Sequence, residues 1–144
     1  MNKKIIAALQ LGSSADGTNA TLARIMSFKQ AIEDSKCDLL VLPEALLGGY
    51  PKGADFGTRV GYRTEQGRED YLAYFQQAIE IDGPEVQALT ELATTCNTSI
   101  VIGVIERGGS TLYCTALFIT QKGEVKKHRK LMPTASERLI WGLG

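Results

Sequence analysis

Apolar residues run almost without interruption through residues 5–11 and stop at Gly12 and Ser13, the pattern of a strand covered on both faces. Asp16, Gly17, Thr18 and Asn19 then supply turn and N-cap chemistry for a helix running to about Ser35. Its Leu22, Ile25, Phe28 and Ile32 recur at near-helical spacing, so that stripe is expected to lie on a sheet. Residues 38–43 carry Leu39, Leu40, Val41 and Leu42, a second buried strand with Glu44 at its C-terminal end. From 47 to 61 the chain is rich in glycine, with Pro51 and aromatic residues. That composition predicts a long irregular loop, which in a compact domain usually carries function.

Tyr71, Phe75 and Ala78 mark one face of a helix over residues 69–81. A further helix opens at Gly83-Pro84 and stops near Asn97, with Val86, Leu89, Ala93 and Cys96 as its buried stripe. Residues 99–106 form a third strong strand. Gly108-Gly109 turns into a fourth over 111–120, whose two faces are both largely apolar. Lys122-Gly123 then leads into residues 125–131, where Lys126, His128 and Lys130 alternate against Lys127, Arg129 and Leu131 if the chain is extended. Helix and strand alternate first and hairpin strands follow, which predicts a layered α/β fold with a mixed sheet.

The 144 residues, 44% of them hydrophobic, suit a single domain with one core. Sixteen basic residues balance sixteen acidic ones, so no overall field gathers nucleic acid or an anionic membrane. The basic run at 126–130 then reads as a solvated face, and no nucleic-acid partner is expected. Lys3 and Lys4 resemble a signal n-region, but Gln10 and Gly12 break the apolar run before it could act as a leader or a membrane span. Cys37, Cys96 and Cys114 are odd in number and widely spaced, which fits neither a disulfide framework nor a zinc site. A reducing, cytoplasmic setting is the expectation, with no metal or cofactor.

Two positions carry candidate chemistry. Glu44 follows an apolar strand and precedes a glycine-rich loop, where desolvation would raise a carboxylate pKa and improve it as a proton acceptor near neutral pH. Taken alone, such a glutamate also suits a turn cap or a surface ion pair. Its surroundings are more specific. Asp38-Leu39-Leu40-Val41-Leu42-Pro43-Glu44-Ala45-Leu46-Leu47-Gly48-Gly49-Tyr50-Pro51, continuing through Lys52-Gly53-Ala54-Asp55-Phe56-Gly57, resembles the segment around the catalytic glutamate of the nitrilases, a branch of the carbon-nitrogen hydrolase superfamily. His128-Arg129-Lys130-Leu131-Met132-Pro133-Thr134 is similar to the family's catalytic lysine motif, and the run on to Trp141 places Glu137 at the family's second pocket glutamate. Lys36 and Leu42 depart from common family residues without touching the chemistry.

The resemblance implies a fold, a reaction and an incomplete site. The fold would be part of a four-layer α-β-β-α sandwich of the carbon-nitrogen hydrolase type. The reaction would convert a small-molecule nitrile to a carboxylic acid and ammonia, with Glu44 as base, Lys130 as charge stabiliser and Glu137 supporting Lys130 or orienting substrate or water. A first-turn helix acid is the alternative role of Glu137. The family nucleophile is a cysteine on a strand beyond the lysine motif, and none of Cys37, Cys96 or Cys114 matches it; each reads as a small buried hydrophobe. Residues 1–144 are therefore expected to be the N-terminal portion of a nitrilase domain, truncated before its nucleophile and inactive alone. A partial sheet would expose an apolar face and an unpaired edge. Full-length family members pair into homo-oligomers. An amidase of the same superfamily and a non-catalytic fragment that docks on full-length subunits are the alternatives.

Overall fold

The computed structural model describes residues 3–59 and 61–144; Val60, inside the loop predicted over 47–61, lies outside the described residues. The chain runs β1 (Ile6–Ala8), α1 (Thr18–Met26), α2 (Lys29–Ser35), β2 (Leu39–Val41), α3 (Glu65–Gln77), α4 (Pro84–Thr95), β3 (Ser99–Gly108), β4 (Thr111–Ile119) and β5 (Val125–Arg129), and ends in a 3-10 turn at Ala135–Leu139. The five strands form one sheet in sequence order. β1, β2 and β3 are parallel, and the hairpins to β4 and β5 are antiparallel. This is the mixed α/β sheet that the alternation of elements predicted.

Strand register explains how the two faces differ. Leu40, Ile100 and Ile119 are cross-strand neighbours, and with Ile102 and Leu117 they pack against Ile25, Ile32, Leu89, Leu92 and Ala93 of the helices. Among the described residues the opposite face is covered at one end only, where Tyr71, Tyr74 and Phe75 of α3 and Trp141 pack on Ile105, Leu112 and Cys114. Toward β1 it lies bare. Ile6 is 67% exposed and Phe118 43%, with Val41 exposed between them. No helix among the described residues is long and apolar enough to cross a membrane.

The departures from the predicted elements have local causes. Residues 5–11 shorten to a three-residue edge strand with one bare face, so Ile6 is exposed where burial on both faces was expected, and Ile5 is exposed just ahead of the strand. The single helix to Ser35 is two. The chain breaks at Ser27 and Phe28, where Phe28 N–H donates to the Ile25 carbonyl, and this turns Phe28 outward while Ile32 stays buried. α3 begins earlier than predicted because Thr64 caps it, its hydroxyl accepting from Gly67 N–H at 3.0 Å. It also ends earlier: Ile79 exchanges backbone hydrogen bonds with Ile105 and Arg107, drawing the chain out along β3. β5 stops at Arg129, although Lys130 N–H still donates to the Cys114 carbonyl at 2.7 Å.

Beyond Val41 the backbone keeps running beside β3. Leu42 N–H donates to Val101, Gly103 N–H to Pro43 and Leu46 N–H to Gly103. Gly103 permits this close approach, because a Cβ there would stand 2.4 Å from Glu44 Cα and 2.6 Å from Ala45 N. Backbone cannot swing aside as a side-chain tip can. Gly103→Ala is therefore expected to part these segments and lower the unfolding free energy by about 3 kcal/mol, read as an earlier urea midpoint. An unchanged midpoint would mean that the segment around Glu44 is not held against β3.

Candidate active site

Glu44 leaves the end of β2 where the chain turns sharply. Ala45 takes a φ of +52°, a left-handed conformation that a non-glycine residue adopts at a cost of roughly 1–2 kcal/mol. Buried neighbours hold that turn in place, since Ala45, Leu46 and Leu47 are all enclosed. The Glu44 carboxylate itself is not desolvated. Its side chain is 56% exposed, against the expectation of a carboxylate beside a dry interior, because it emerges onto the sheet face that the described residues leave bare.

Lys130 reaches the same point from the far side of β4. Its backbone is fixed on both edges, N–H to the Cys114 carbonyl at 2.7 Å and carbonyl to Gly144 N–H at 3.1 Å. The ammonium donates to Glu44 Oε1 at 3.2 Å and to Glu137 Oε2 at 3.0 Å. Partial burial works against its charge, but the hydrogen bonds to Glu137 and Glu44 outweigh that and raise its pKa above the ordinary lysine value. Lys130 therefore stays a cation throughout the neutral range, lying 5.7 Å from the centre of the Trp141 ring.

Glu137 meets both readings offered by its sequence position. It is the third residue of the 3-10 turn and completes a capping box with Thr134, whose N–H donates to Oε2 at 2.6 Å. The same oxygen accepts from Lys130, while Tyr50 OH donates to Oε1 at 2.9 Å. Burial pushes the Glu137 pKa up, yet the donors from Thr134, Lys130 and Tyr50 pull it below the ordinary glutamate value. The turn at 135–139 thus fixes a carboxylate that fixes the lysine.

Sequence reasoning did not find Cys114 or Tyr50 at this site. Cys114 is buried within the smaller core cluster, as a small hydrophobe would be. Its thiol also donates to Glu44 Oε1 at 3.4 Å. Burial, and then the Glu44 charge, push that thiol up to about 12, so it is held protonated as a donor and not as a thiolate. Strand alternation predicted its burial; the glutamate opposite it depended on the β2 extension crossing Gly103. A cleft of about 290 Å³ between Glu44, Cys114, His128 and Lys130 opens onto the bare face. Among the described residues no group of three His, Cys, Asp or Glu side chains is placed to hold a metal ion.

One ammonium between two carboxylates, a protonated thiol beneath and an open cleft above can accept a proton and stabilise a developing anion on one bound molecule. Comparison with known proteins bears on the family and the fold. Nitrilase 2 from Arabidopsis thaliana is 46% identical over 137 residues, covering 94% of this chain and 40% of its own length. The aliphatic nitrilase of Sinorhizobium fredii is 42% identical over all 144 residues, which make up 47% of that protein. The chain thus spans less than half the length of these curated relatives. Among solved structures, XC1258 from Xanthomonas campestris, a CN-hydrolase superfamily protein, superposes with a TM-score of 0.75 at 18% identity over 100% of this chain and 47% of its own. The carbon-nitrogen hydrolase family model matches residues 5–144, and the chain belongs to that family of hydrolases.

Proposed function

We propose that this chain contributes the glutamate and the lysine of a nitrilase-type site that converts a nitrile and two waters to a carboxylic acid and ammonia. The observation that carries the reading is the Lys130 ammonium within hydrogen-bond reach of both Glu44 and Glu137. Glu44 takes the proton of a nucleophilic thiol, and the thiolate attacks the nitrile carbon. Negative charge then builds on nitrogen, where Lys130 stabilises it until Glu44 returns the thiol proton to that nitrogen; the resulting thioimidate adds water and loses ammonia, leaving a thioester and Glu44 again as a carboxylate. A second water, deprotonated by Glu44, cleaves the thioester and frees the acid. Glu137 keeps Lys130 charged and aimed.

The nucleophile in this reading is none of the three cysteines present. Cys37 is buried beside Thr98, Cys96 caps α4 and Cys114 is held protonated. It comes from a segment that covers the bare sheet face. The exposure of Ile6, Val41 and Phe118 there also supports the alternative of a fragment that docks on a longer subunit. An amidase shares the same three-residue chemistry, but the likeness to Nitrilase 2 and to the aliphatic nitrilase favours a nitrile substrate.

The test is reconstitution. The chain alone should release no ammonia from a panel of aliphatic and aromatic nitriles. Co-expressed with the part of the Sinorhizobium fredii aliphatic nitrilase that it does not match, it should do so. Amide turnover without nitrile turnover in the reconstituted protein would replace this reading with the amidase one.

A further inference from the structure

β5 is an outer strand of the sheet, opposite β1, and reads Val-Lys-Lys-His-Arg, with all but Arg129 exposed. Such a strand has almost no apolar pattern to choose its register, and a slip of one residue would turn every side chain to the other face. Lys130 would then point away from Glu44 and Glu137. Something other than hydrophobic burial must select the pairing.

Glu106, on β3, is 2% exposed and the Tyr113 partner across the hairpin. Its carboxylate reaches over β4 to β5. Arg129 grips it at two points, Nε to Oε2 at 3.0 Å and Nη2 to Oε1 at 2.7 Å. Lys127 donates to Oε1, and Thr115, the β4 neighbour of Arg129, donates to Oε2 at 2.8 Å. The Arg129 guanidinium also lies 3.6 Å from the centre of the Tyr113 ring. These cations sit at alternate positions, 127 and 129, so a single acceptor fixes both, and the alternation of the strand sends 126, 128 and 130 to the opposite face.

We infer that Glu106 is the positioning residue of the site: by engaging Lys127 and Arg129 on one face of the sheet, it sets the register of β5 and so places Lys130 against Glu44 and Glu137 on the other. It touches neither Glu44 nor Lys130. A buried ion pair here serves specificity of pairing, the use for which such pairs are best attested.

The experiment is nuclear magnetic resonance on the isotope-labelled chain, reading cross-strand contacts and the titration of the Lys130 ammonium. The native protein should give contacts between Ala116 and His128, the register partners of β4 and β5. In Glu106→Gln these contacts should be lost while those between Ile100 and Ile119 of β3 and β4 persist, and the Lys130 pKa should fall back to the ordinary lysine range. Arg129→Lys keeps the charge and removes the two-point grip. It should populate a second set of β5 signals, which keeps the question decidable if the Gln chain does not fold. Native Ala116 to His128 contacts and an unshifted Lys130 in either folded variant, with only a lower melting temperature, would reduce Glu106 to a stabilising residue and overturn the inference. Neither readout depends on the reaction proposed above.

Discussion

Glu44→Gln in the reconstituted enzyme is expected to lower kcat by about a thousandfold or more, with KM changed much less. A positioned general base contributes roughly a hundred- to ten-thousandfold, and the reading above uses this base twice, once on the thiol and once on water. The amide keeps the size of the side chain and can still accept a hydrogen bond from Lys130 or from Cys114, so folding should survive. What it cannot do is take a proton. Lys130→Met gives the comparison: losing one charged donor to the developing anion costs roughly a hundred- to a thousandfold, and it also leaves Glu137 without its cation. Steady-state ammonia release over a range of nitrile concentrations separates the two parameters. A Glu44→Gln enzyme within tenfold of the parent kcat would remove Glu44 from the role of base and leave it as a partner of Lys130.

The parts of this site that could be read from the sequence are those tied to contiguous motifs. Glu44 lies just beyond a four-residue apolar run, and Lys130 and Glu137 lie in one short segment, so their candidacy was visible in the chain itself. Their convergence was not. It depends on the chain beyond β2 passing beside β3 at Gly103, on the antiparallel return through β4, and on a 3-10 turn whose five residues are too few to announce themselves. Cys114 shows the limit most clearly. Alternation along β4 puts it on an apolar face, and nothing in that pattern says that a glutamate 70 positions earlier ends up within hydrogen-bond reach.

Elements failed to match where tertiary contacts overrode local preference. The stripe of Leu22, Ile25, Phe28 and Ile32 looks like one helix, yet the break at Ser27 and Phe28 keeps Ile32 inward and turns Phe28 out. The run at 5–11 looks buried on both sides because apolar residues follow one another without polar interruption. In the described fold one of those sides has nothing upon it, which is why Ile6 is among the most exposed apolar residues. The sequence pattern is thus that of a covered strand, and the mismatch at β1 is the counterpart of the bare face beside the site.

Glu106→Ala should cost this chain about 3 kcal/mol of unfolding free energy at neutral pH, and the loss should disappear in acid. Removing one member of a buried ion pair typically costs roughly 3–5 kcal/mol because the remaining charge is stranded. Here the lower end applies, since Lys127 and Arg129 stay about one-third exposed and can turn to water. The pH dependence follows independently. Burial alone would raise the Glu106 pKa, but the bonds from Arg129, Lys127 and Thr115 bring it down to about 2 from an ordinary 4.5. A carboxylate whose folded pKa is depressed contributes its stabilisation above the unfolded pKa and loses it as pH falls toward the folded one. A difference of 2.5 units at about 1.4 kcal/mol each gives roughly 3 kcal/mol, present above pH 5 and mostly gone by pH 2. Urea unfolding of parent and variant at a series of pH values reads this directly: the two stability curves should lie apart at pH 7 and converge on acidification. Parallel curves would mean that Glu106 is not the group whose protonation loosens β5, because a variant that lacks the carboxylate has nothing there left to titrate.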